Sequence, residues 1–163
     1  MDEKRLMKFS HAFIFDIDGV LANLEHRLHF IQGDKKDWDN FYKDMDKDSP
    51  IQANIDMIYY LHRFGEILFV TGRSEKYREQ TVDWLANNLG YGDPESQKSN
   101  ISKNLYMRKD RDYRPDYVIK EEIYKEKIQP QYSIRAVFED RKTVVDMWRK
   151  LGLTCYQPCD GNY

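Results

Sequence analysis

Several features that would point to a particular environment are scarce or missing in this sequence. Only two cysteines, Cys155 and Cys159, occur among the 163 residues, so we expect no disulfide framework and interpret both as reduced bystanders. No run of about 18 apolar residues is present, and the mixed-charge segment 1–5 is not followed by an apolar core of signal-peptide length. We therefore expect neither a membrane span nor a secretory leader, and predict a cytoplasmic protein.

An excess of charge of one sign is also missing. The formal net charge is −2 at pH 7, so bulk electrostatics gives no general attraction to nucleic-acid backbones or anionic lipid. Residues 23–49 carry seven acids against five bases, and the basic run at 108–111 is interrupted by an aspartate. We expect no groove for a long duplex and no membrane partner, while the oligomeric state stays open.

What the sequence does contain is enough apolar material for one core. With 40% hydrophobic residues, the chain is expected to form a single domain over residues 1–163. Short apolar runs predict strands at 12–16, 66–71 and 134–139, with weaker candidates at 104–107 and 154–157. Helical periodicities lie between them, at 51–62, 77–89, 118–128 and 144–151. This alternation predicts a doubly wound α/β domain, with a mostly parallel five-stranded sheet and helices on both faces.

Two stretches do not fit this alternation. Residues 22–50 are charged and aromatic, and we interpret them as a small inserted cap. Three of its aromatic residues, Trp38, Phe41 and Tyr42, are expected mainly to form the core of this cap, although one of them could stack on a base. Residues 92–103 are predicted to be a polar, turn-rich connector.

The strong strands end in residues that could carry chemistry. Asp16 and Asp18 follow the first strand, and Glu139 and Asp140 follow the fourth. Ligands of open α/β sheets bind outside the carboxyl ends of the strands, where the winding reverses. If the first and fourth strands are central neighbours, these carboxylates converge, and they would repel one another unless a cation joined them. An all-oxygen ligand set predicts Mg²⁺.

Other residues near the carboxyl ends of the strands each have two possible interpretations, one functional and one structural. Thr71, Gly72 and Arg73 end the second strong strand, where a hydroxyl and an approachable backbone N–H would bind an anion; the alternative is a simple helix start capped by Ser74. Lys120 stands either on a solvated helix face or beside a partly buried turn from which it reaches the crevice. Taken alone, Asp-Ile-Asp-Gly could be only a tight turn.

Together these residues carry a family resemblance. "FDIDGV", "FVTGR", Lys120 and "VFEDR" resemble, in order, the four motifs of the haloacid-dehalogenase (HAD) phosphohydrolase superfamily. Residues 104–163, with "YMRKDRDYRPDYVIKEEIY" and "VFEDRKTVVDMWRKLGLTCYQPCDGNY", are similar to the 3′-phosphatase domain of bacteriophage polynucleotide kinase. The preceding kinase domain has no counterpart in this sequence, and we therefore expect a stand-alone phosphatase.

The resemblance implies a mechanism and a role for each motif. Asp16 would be the nucleophile that forms an aspartyl-phosphate, and Asp18 would protonate the leaving oxygen and later activate water. Thr71 and the Gly72 N–H would hold the phosphate oxygens, and Lys120 would offset negative charge. Arg73 matches an arginine of the phage phosphatase and is placed with this phosphate-binding group.

The resemblance also implies a metal shell with one open choice. Asp16, the Asp18 carbonyl oxygen and Asp140 would hold Mg²⁺. Related enzymes often carry Asp-Asp where this chain has Glu139-Asp140, so either of these two could be the ligand, and Asp140 is favoured.

Three further residues have weaker assignments. His26 and Arg27 lie in the cap and are candidates for substrate contact, against an ordinary structural role. Asp116 either forms an ordinary i,i+4 pair with Lys120 or orients that lysine. Exchange of Arg27 or Arg73 for alanine is expected to weaken substrate use and leave the fold intact.

The sequence leaves more than one substrate class open. The small cap favours a polynucleotide 3′-end or a nucleotide 3′-phosphate as substrate, because a strand leading away from the phosphate need not collide with a lid. The alternative is a phosphatase of free 5′-nucleotides or other small phosphate esters. A non-catalytic phosphate-binding module is disfavoured because both Asp16 and Asp18 are present.

Overall fold

The structure, a computed structural model, describes residues 10–90 and 92–161; the segment 1–5 lies outside these ranges. Its strands are β1 Ser10–Phe15, β2 Ala22–Asn23, β3 Ser49–Pro50, β4 Glu66–Ser74, β5 Leu105–Arg108, β6 Tyr132–Phe138 and β7 Cys155–Tyr156. Five of them form one parallel sheet in the order β5-β4-β1-β6-β7. The doubly wound α/β fold is confirmed, and the first and fourth sheet strands, β1 and β6, are central neighbours.

Six α-helices lie within the described ranges. They are α1 Trp38–Lys43, α2 Gln52–Leu61, α3 Arg78–Asn88, α4 Pro94–Lys103, α5 Asp116–Ile123 and α6 Lys142–Lys150. A π-helical segment, Tyr124–Ile128, continues α5, and short 3₁₀ segments occupy Glu25–Phe30, Met45–Lys47 and Glu75–Tyr77. Among the helices of the described ranges, none combines the length and the apolar character needed to cross a membrane.

Burial on both faces of the sheet follows from the alternation of side chains along β1. Phe13 and Phe15 belong to a core cluster that also contains residues of α2, α3 and α4. Ala12 and Ile14 point into a second cluster, which contains residues of α5 and α6. Because successive side chains of a strand face opposite ways, a continuous apolar run is what a central parallel strand requires.

The predicted connector at 92–103 is wrong over most of its length, because Pro94–Lys103 is helix α4. Asp93 caps this helix: its side chain accepts a hydrogen bond from the Ser96 backbone N–H at 2.9 Å. Proline at the first helical position is compatible with the cap, since its missing N–H would have no partner there. Ile101 is buried in the core beside α3. This apolar side chain packs the helix against the core, although the composition of the helix is otherwise polar.

The segment between β1 and α2 is closed at its base by a two-stranded antiparallel pair. Strands β2 and β3 place Ala22 opposite Pro50, so the two ends of the segment 22–50 lie side by side. Its own small core contains Leu24, Ile31 and Phe41. We refer to this segment as the cap.

The two cysteines lie near the carboxyl ends of the strands and are free thiols. Cys155 is buried, and that burial raises the pKa of its thiol to about 12. Cys159 is exposed, and its Sγ lies 3.0 Å from the Gly19 carbonyl oxygen. At neutral pH the Cys155 sulfur is therefore a protonated thiol rather than a reactive thiolate.

Candidate active site

The turn after β1 presents two carboxylates to one cavity. The Asp16 backbone N–H donates to the Phe138 carbonyl oxygen at 2.9 Å, which ties the end of β1 to β6. Ile17 is fully buried, whereas Asp16 and Asp18 on either side of it both line the cavity. Gly19 has a φ of 77°, a left-handed conformation that favours glycine, and this lets the chain turn immediately after Asp18.

A second feature is a buried group of acids at the ends of β1 and β6. Carboxylate oxygens of Asp16, Glu139 and Asp140 lie within 4.8 Å of one another, and all three side chains are buried. Burial and repulsion by Glu139 raise the pKa of Asp16 well above its usual range, against the attraction of Lys120. These oxygens are near enough to one another to share a metal ion.

Lys120 supplies the positive charge within this group. Its side chain is 2% exposed, so the structure places it in the interior and not on a solvated helix face. Its Nζ lies 3.0 Å from Asp16 Oδ1 and 2.7 Å from Glu139 Oε2. Burial opposes the charge, but Asp16 and Glu139 together raise the pKa of Lys120, so it remains protonated.

Asp18 is held by two buried arginines. Arg27 Nη2 donates to Asp18 Oδ1 at 2.6 Å, and Arg73 donates to both carboxylate oxygens, from Nη2 at 2.7 Å and from Nε at 3.0 Å. Burial alone would raise the pKa of Asp18, but Arg73 and Arg27 lower it far below its usual range. Both guanidinium groups are fully buried, and in this structure they contact Asp18 rather than open solvent.

The partner that balances these arginines is Asp48, which the sequence reasoning missed. Its carboxylate accepts from Arg27 Nε and Nη2, both at 2.6 Å, and from Arg73 Nη2 at 3.2 Å. The His26 ring Nε2 lies 2.9 Å from the same carboxylate. Asp48 is one of three alternate aspartates in "DMDKD", and nothing in that pattern separates it from its neighbours. Only the need of two buried arginines for an anion would have pointed to it.

The segment predicted to bind phosphate is still part of a strand. β4 continues to Ser74 instead of ending at residue 71, and its register against β5 is irregular between Thr71 and Ser74. The Thr71 hydroxyl oxygen accepts from the Arg73 backbone N–H at 3.2 Å. Ser74 caps the following 3₁₀ turn by accepting from the Lys76 N–H. The Ser74 cap of the alternative interpretation is thus present, on a 3₁₀ turn, while phosphate binding by Thr71 and Gly72 stays a prediction.

Asp116 lies beside this segment and holds two arginines that the sequence analysis did not single out. It accepts from Arg141 Nη1 at 2.6 Å and from Arg108 Nη2. A side chain at Gly72 would place its Cβ 2.6 Å from Asp116 Oδ1, so any larger residue there would displace the Asp116 carboxylate. Asp116 contributes to the field that keeps Lys120 charged, while its hydrogen bonds go to the arginines.

Asp16, Asp18, Gly72 and Asp116 border one cavity of about 470 Å³, which residues of the cap also line. It reaches from Asp16 and Asp18 past Gly72 to aromatic residues of the cap, and on the other side to residues 110–116. Its volume falls within the range of about 300–1,000 Å³ that is usual for ligand sites.

Comparison with known proteins agrees with this geometry. The family model of the polynucleotide kinase PNKP phosphatase domain matches residues 10–163. A protein named as a bifunctional polynucleotide kinase/RNA ligase, from Autographa californica nuclear polyhedrosis virus, is 30% identical over 158 residues. That match covers 93% of this chain and 20% of the viral protein.

Solved structures show the same likeness. A chain of a Pnkp1/Rnl/Hen1 RNA repair complex superposes with a TM-score of 0.76 at 29% identity, covering 96% of this chain and 45% of that one. The class C acid phosphatase of Bacillus anthracis has a TM-score of 0.68 at 13% identity, covering 99% of this chain and 71% of that one, which is a likeness of fold. The chain thus spans less than half of the repair-complex chain and about a fifth of the viral protein.

The family match, together with the sheet order, identifies a phosphatase domain of the haloacid-dehalogenase type. Within that class, the chain belongs to the family of polynucleotide kinase PNKP phosphatase domains.

Proposed function

We propose that this phosphatase removes 3′-phosphates from polynucleotide ends or nucleotides, through an aspartyl-phosphate on Asp16 and with Mg²⁺ bound. The observation that carries the proposal is the placement of Asp16 and Asp18 in one cavity, with Lys120 3.0 Å from the Asp16 carboxylate. The family match over residues 10–163 supports the choice of substrate, since the PNKP phosphatase domain gives the family its name.

The acidic group at the ends of β1 and β6 has the chemistry that Mg²⁺ requires. Asp16, Glu139 and Asp140 offer hard carboxylate oxygens in one buried place. Both Glu139 oxygens already accept from protein groups, one from Lys120 Nζ at 2.7 Å and one from the Arg141 backbone N–H at 3.4 Å. For that reason we favour Asp16 and Asp140, with the Asp18 carbonyl oxygen, as the residues that would hold the ion.

Each residue of the site has a role in the proposed reaction. A carboxylate oxygen of Asp16 attacks phosphorus while the bond from phosphorus to the leaving oxygen breaks, and Lys120 offsets the negative charge that gathers there. Asp18 gives a proton to the leaving oxygen, and later takes one from the water that releases phosphate from Asp16. Bound Mg²⁺ would neutralise phosphate charge and orient the group for in-line attack.

The two arginines at Asp18 bear on the origin of this proton. Because Arg73 and Arg27 lower its pKa, Asp18 is ionised before substrate arrives, which suits a base that activates water. To act as an acid, Asp18 would have to take up a proton in the complex with the substrate.

Metal dependence is the first expectation of this proposal. Activity is expected to disappear in excess chelator and to return with added Mg²⁺, because repelling carboxylates need a cation before they admit a phosphate. Mg²⁺ should also raise the thermal unfolding midpoint of the free protein, since it binds the folded state alone. Asp140→Asn should remove that shift, whereas Asp146→Asn, an exposed acid on α6, should keep it. Full activity in chelator would refute the metal assignment.

Substrate choice is tested by comparing kcat/KM for substrates that carry the phosphate at different positions. We expect a higher kcat/KM for a 3′-phosphorylated oligonucleotide than for the same strand with a 5′-phosphate or for a 5′-mononucleotide. The physical reason is that the open cavity admits a strand beyond the scissile group, and each contact made in the transition state adds to discrimination. If 5′-mononucleotides are hydrolysed with the far higher kcat/KM, the free-nucleotide alternative replaces this substrate while the chemistry at Asp16 stands.

A further inference from the structure

Three aromatic rings form a continuous stack along one wall of the active-site cavity. The rings of Trp38 and Tyr42 are 6.0 Å apart at an interplanar angle of 23°, and those of Tyr42 and Tyr77 are 5.0 Å apart at 27°. All three residues line the cavity that contains Asp16. The stack therefore connects the cap with the segment after β4, in the same cavity as Asp16.

Trp38 does not serve as cap core, contrary to the sequence expectation. Its side chain is 42% exposed, whereas Phe41, one turn further along α1, is 3% exposed and does fill that core. An exposed tryptophan is normally free to change rotamer, but this one has the Phe41 ring edge-on at 5.7 Å. Asp37 also caps α1 by accepting from the Asn40 N–H at 3.1 Å, which fixes the backbone at Trp38. The ring is accessible and held in place.

Cations accompany the stack at both ends. Lys36 Nζ lies 5.5 Å from the centre of the Trp38 ring, and Lys76 Nζ lies 5.2 Å from that of Tyr77. Across the cavity, Tyr113 is 91% exposed. It lies two residues after Arg111, whose φ of 59° is in the left-handed region. Aromatic faces with flanking cations are the features by which proteins bind single-stranded nucleic acid.

We propose that the exposed face of Trp38 is the stacking platform for the terminal nucleobase of the substrate, with Lys36 and Lys76 beside the backbone of the strand. This inference rests on the proposed function, because it places the base relative to a phosphate at Asp16. It also reconciles the weak overall charge with a nucleic-acid substrate: one base and a few phosphates are recognised locally, and no long basic groove is needed.

The experiment compares two oligonucleotides that differ only in the last nucleotide, which carries either a normal base or an abasic sugar, each with a 3′-phosphate. Wild type should prefer the base-bearing strand. Trp38→Ala should lower kcat/KM for that strand by about 10-fold or more, mainly through KM, and should largely remove the preference. Trp38→Phe, which keeps an aromatic face, should retain most of it. Tyr60→Ala, which removes an aromatic side chain 63% exposed on α2, is the control and should change neither substrate.

The outcomes separate this inference from the function on which it rests. If wild type hydrolyses both strands equally well, or if Trp38→Ala slows both by the same factor, the stacking platform is refuted and the 3′-phosphatase activity stands. If wild type releases phosphate from neither strand but does so from another phosphate ester, the proposed function fails and this inference with it.

Discussion

Replacing Asp16 by asparagine is expected to lower phosphate release by at least about 10³-fold while the fold remains intact. The amide keeps the shape of the side chain but cannot form the acyl phosphate. Folding should tolerate the change, because the carboxylate is buried and repelled by Glu139, so a neutral group at this position relieves an unfavourable charge. Lys120 keeps its contact with Glu139 at 2.7 Å.

The measurement is phosphate release from a 3′-phosphorylated oligonucleotide, accompanied by circular dichroism and a thermal melt of each protein. Asp56→Asn serves as the matched control, since this exposed acid on α2 pairs with Gln52 and lies away from the cavity. The control should retain normal turnover. Turnover of Asp16→Asn close to that of the wild type would overturn the assignment of the nucleophile.

Replacing Asp48 by alanine is expected to cost about 3–5 kcal/mol of unfolding free energy, because two buried guanidinium groups then share the Asp18 carboxylate alone and one buried positive charge is left uncompensated. Asp48 is 4% exposed and contacts both Arg27 and Arg73, so no water can take its place easily. Activity should fall as well, since the same arginines set the orientation and ionisation of Asp18.

Urea denaturation measures this loss, and the cap offers a control within the same segment. Asp44 pairs with Lys47 at 2.8 Å on the surface of the cap, so Asp44→Ala should leave the unfolding midpoint nearly unchanged. Asp48→Asn retains an acceptor oxygen and should fall between alanine and the wild type. A loss below about 1 kcal/mol for Asp48→Ala would show that the arginines find other partners or water.

The burial of Arg27 and Arg73 also changes an expectation drawn from the sequence. Substitution of either by alanine was expected to weaken substrate use and spare the fold. Both guanidinium groups are fully buried between Asp18 and Asp48. Their removal would leave buried carboxylates unpaired, so we now expect stability and activity to fall together.

The central sheet could be predicted because the local sequence of its main strands is typical of buried parallel strands. A parallel strand buried on both faces needs an unbroken apolar run; β1 and β4 each have one, and β6 has a shorter one at 136–138. Helix α4 could not be predicted in the same way, since "PESQKSNISK" contains one strongly apolar residue and its formation depends on burial of Ile101 against α3. The extension of β4 to Ser74 likewise depends on pairing with Arg108 of β5.

The site residues also divide into those that the sheet topology predicts and those that depend on tertiary packing. Asp16, Asp18, Glu139 and Asp140 were found because topology alone brings the ends of β1 and β6 together. Asp48 reaches the site only because the cap folds back over the sheet, and its contacts with arginines on the 3₁₀ segment and on β4 are set by tertiary packing. No local pattern encodes such contacts.

Chemical trapping of the intermediate tests the central claim most directly. Protein mixed with a 3′-phosphorylated oligonucleotide is quenched and treated with borohydride, which reduces an acyl phosphate of aspartate to homoserine, and the peptides are then read by mass spectrometry. The account predicts homoserine at position 16, dependent on substrate and absent from Asp16→Asn. Steady release of phosphate with Asp16 unmodified, or with the modification on another acid, would contradict it.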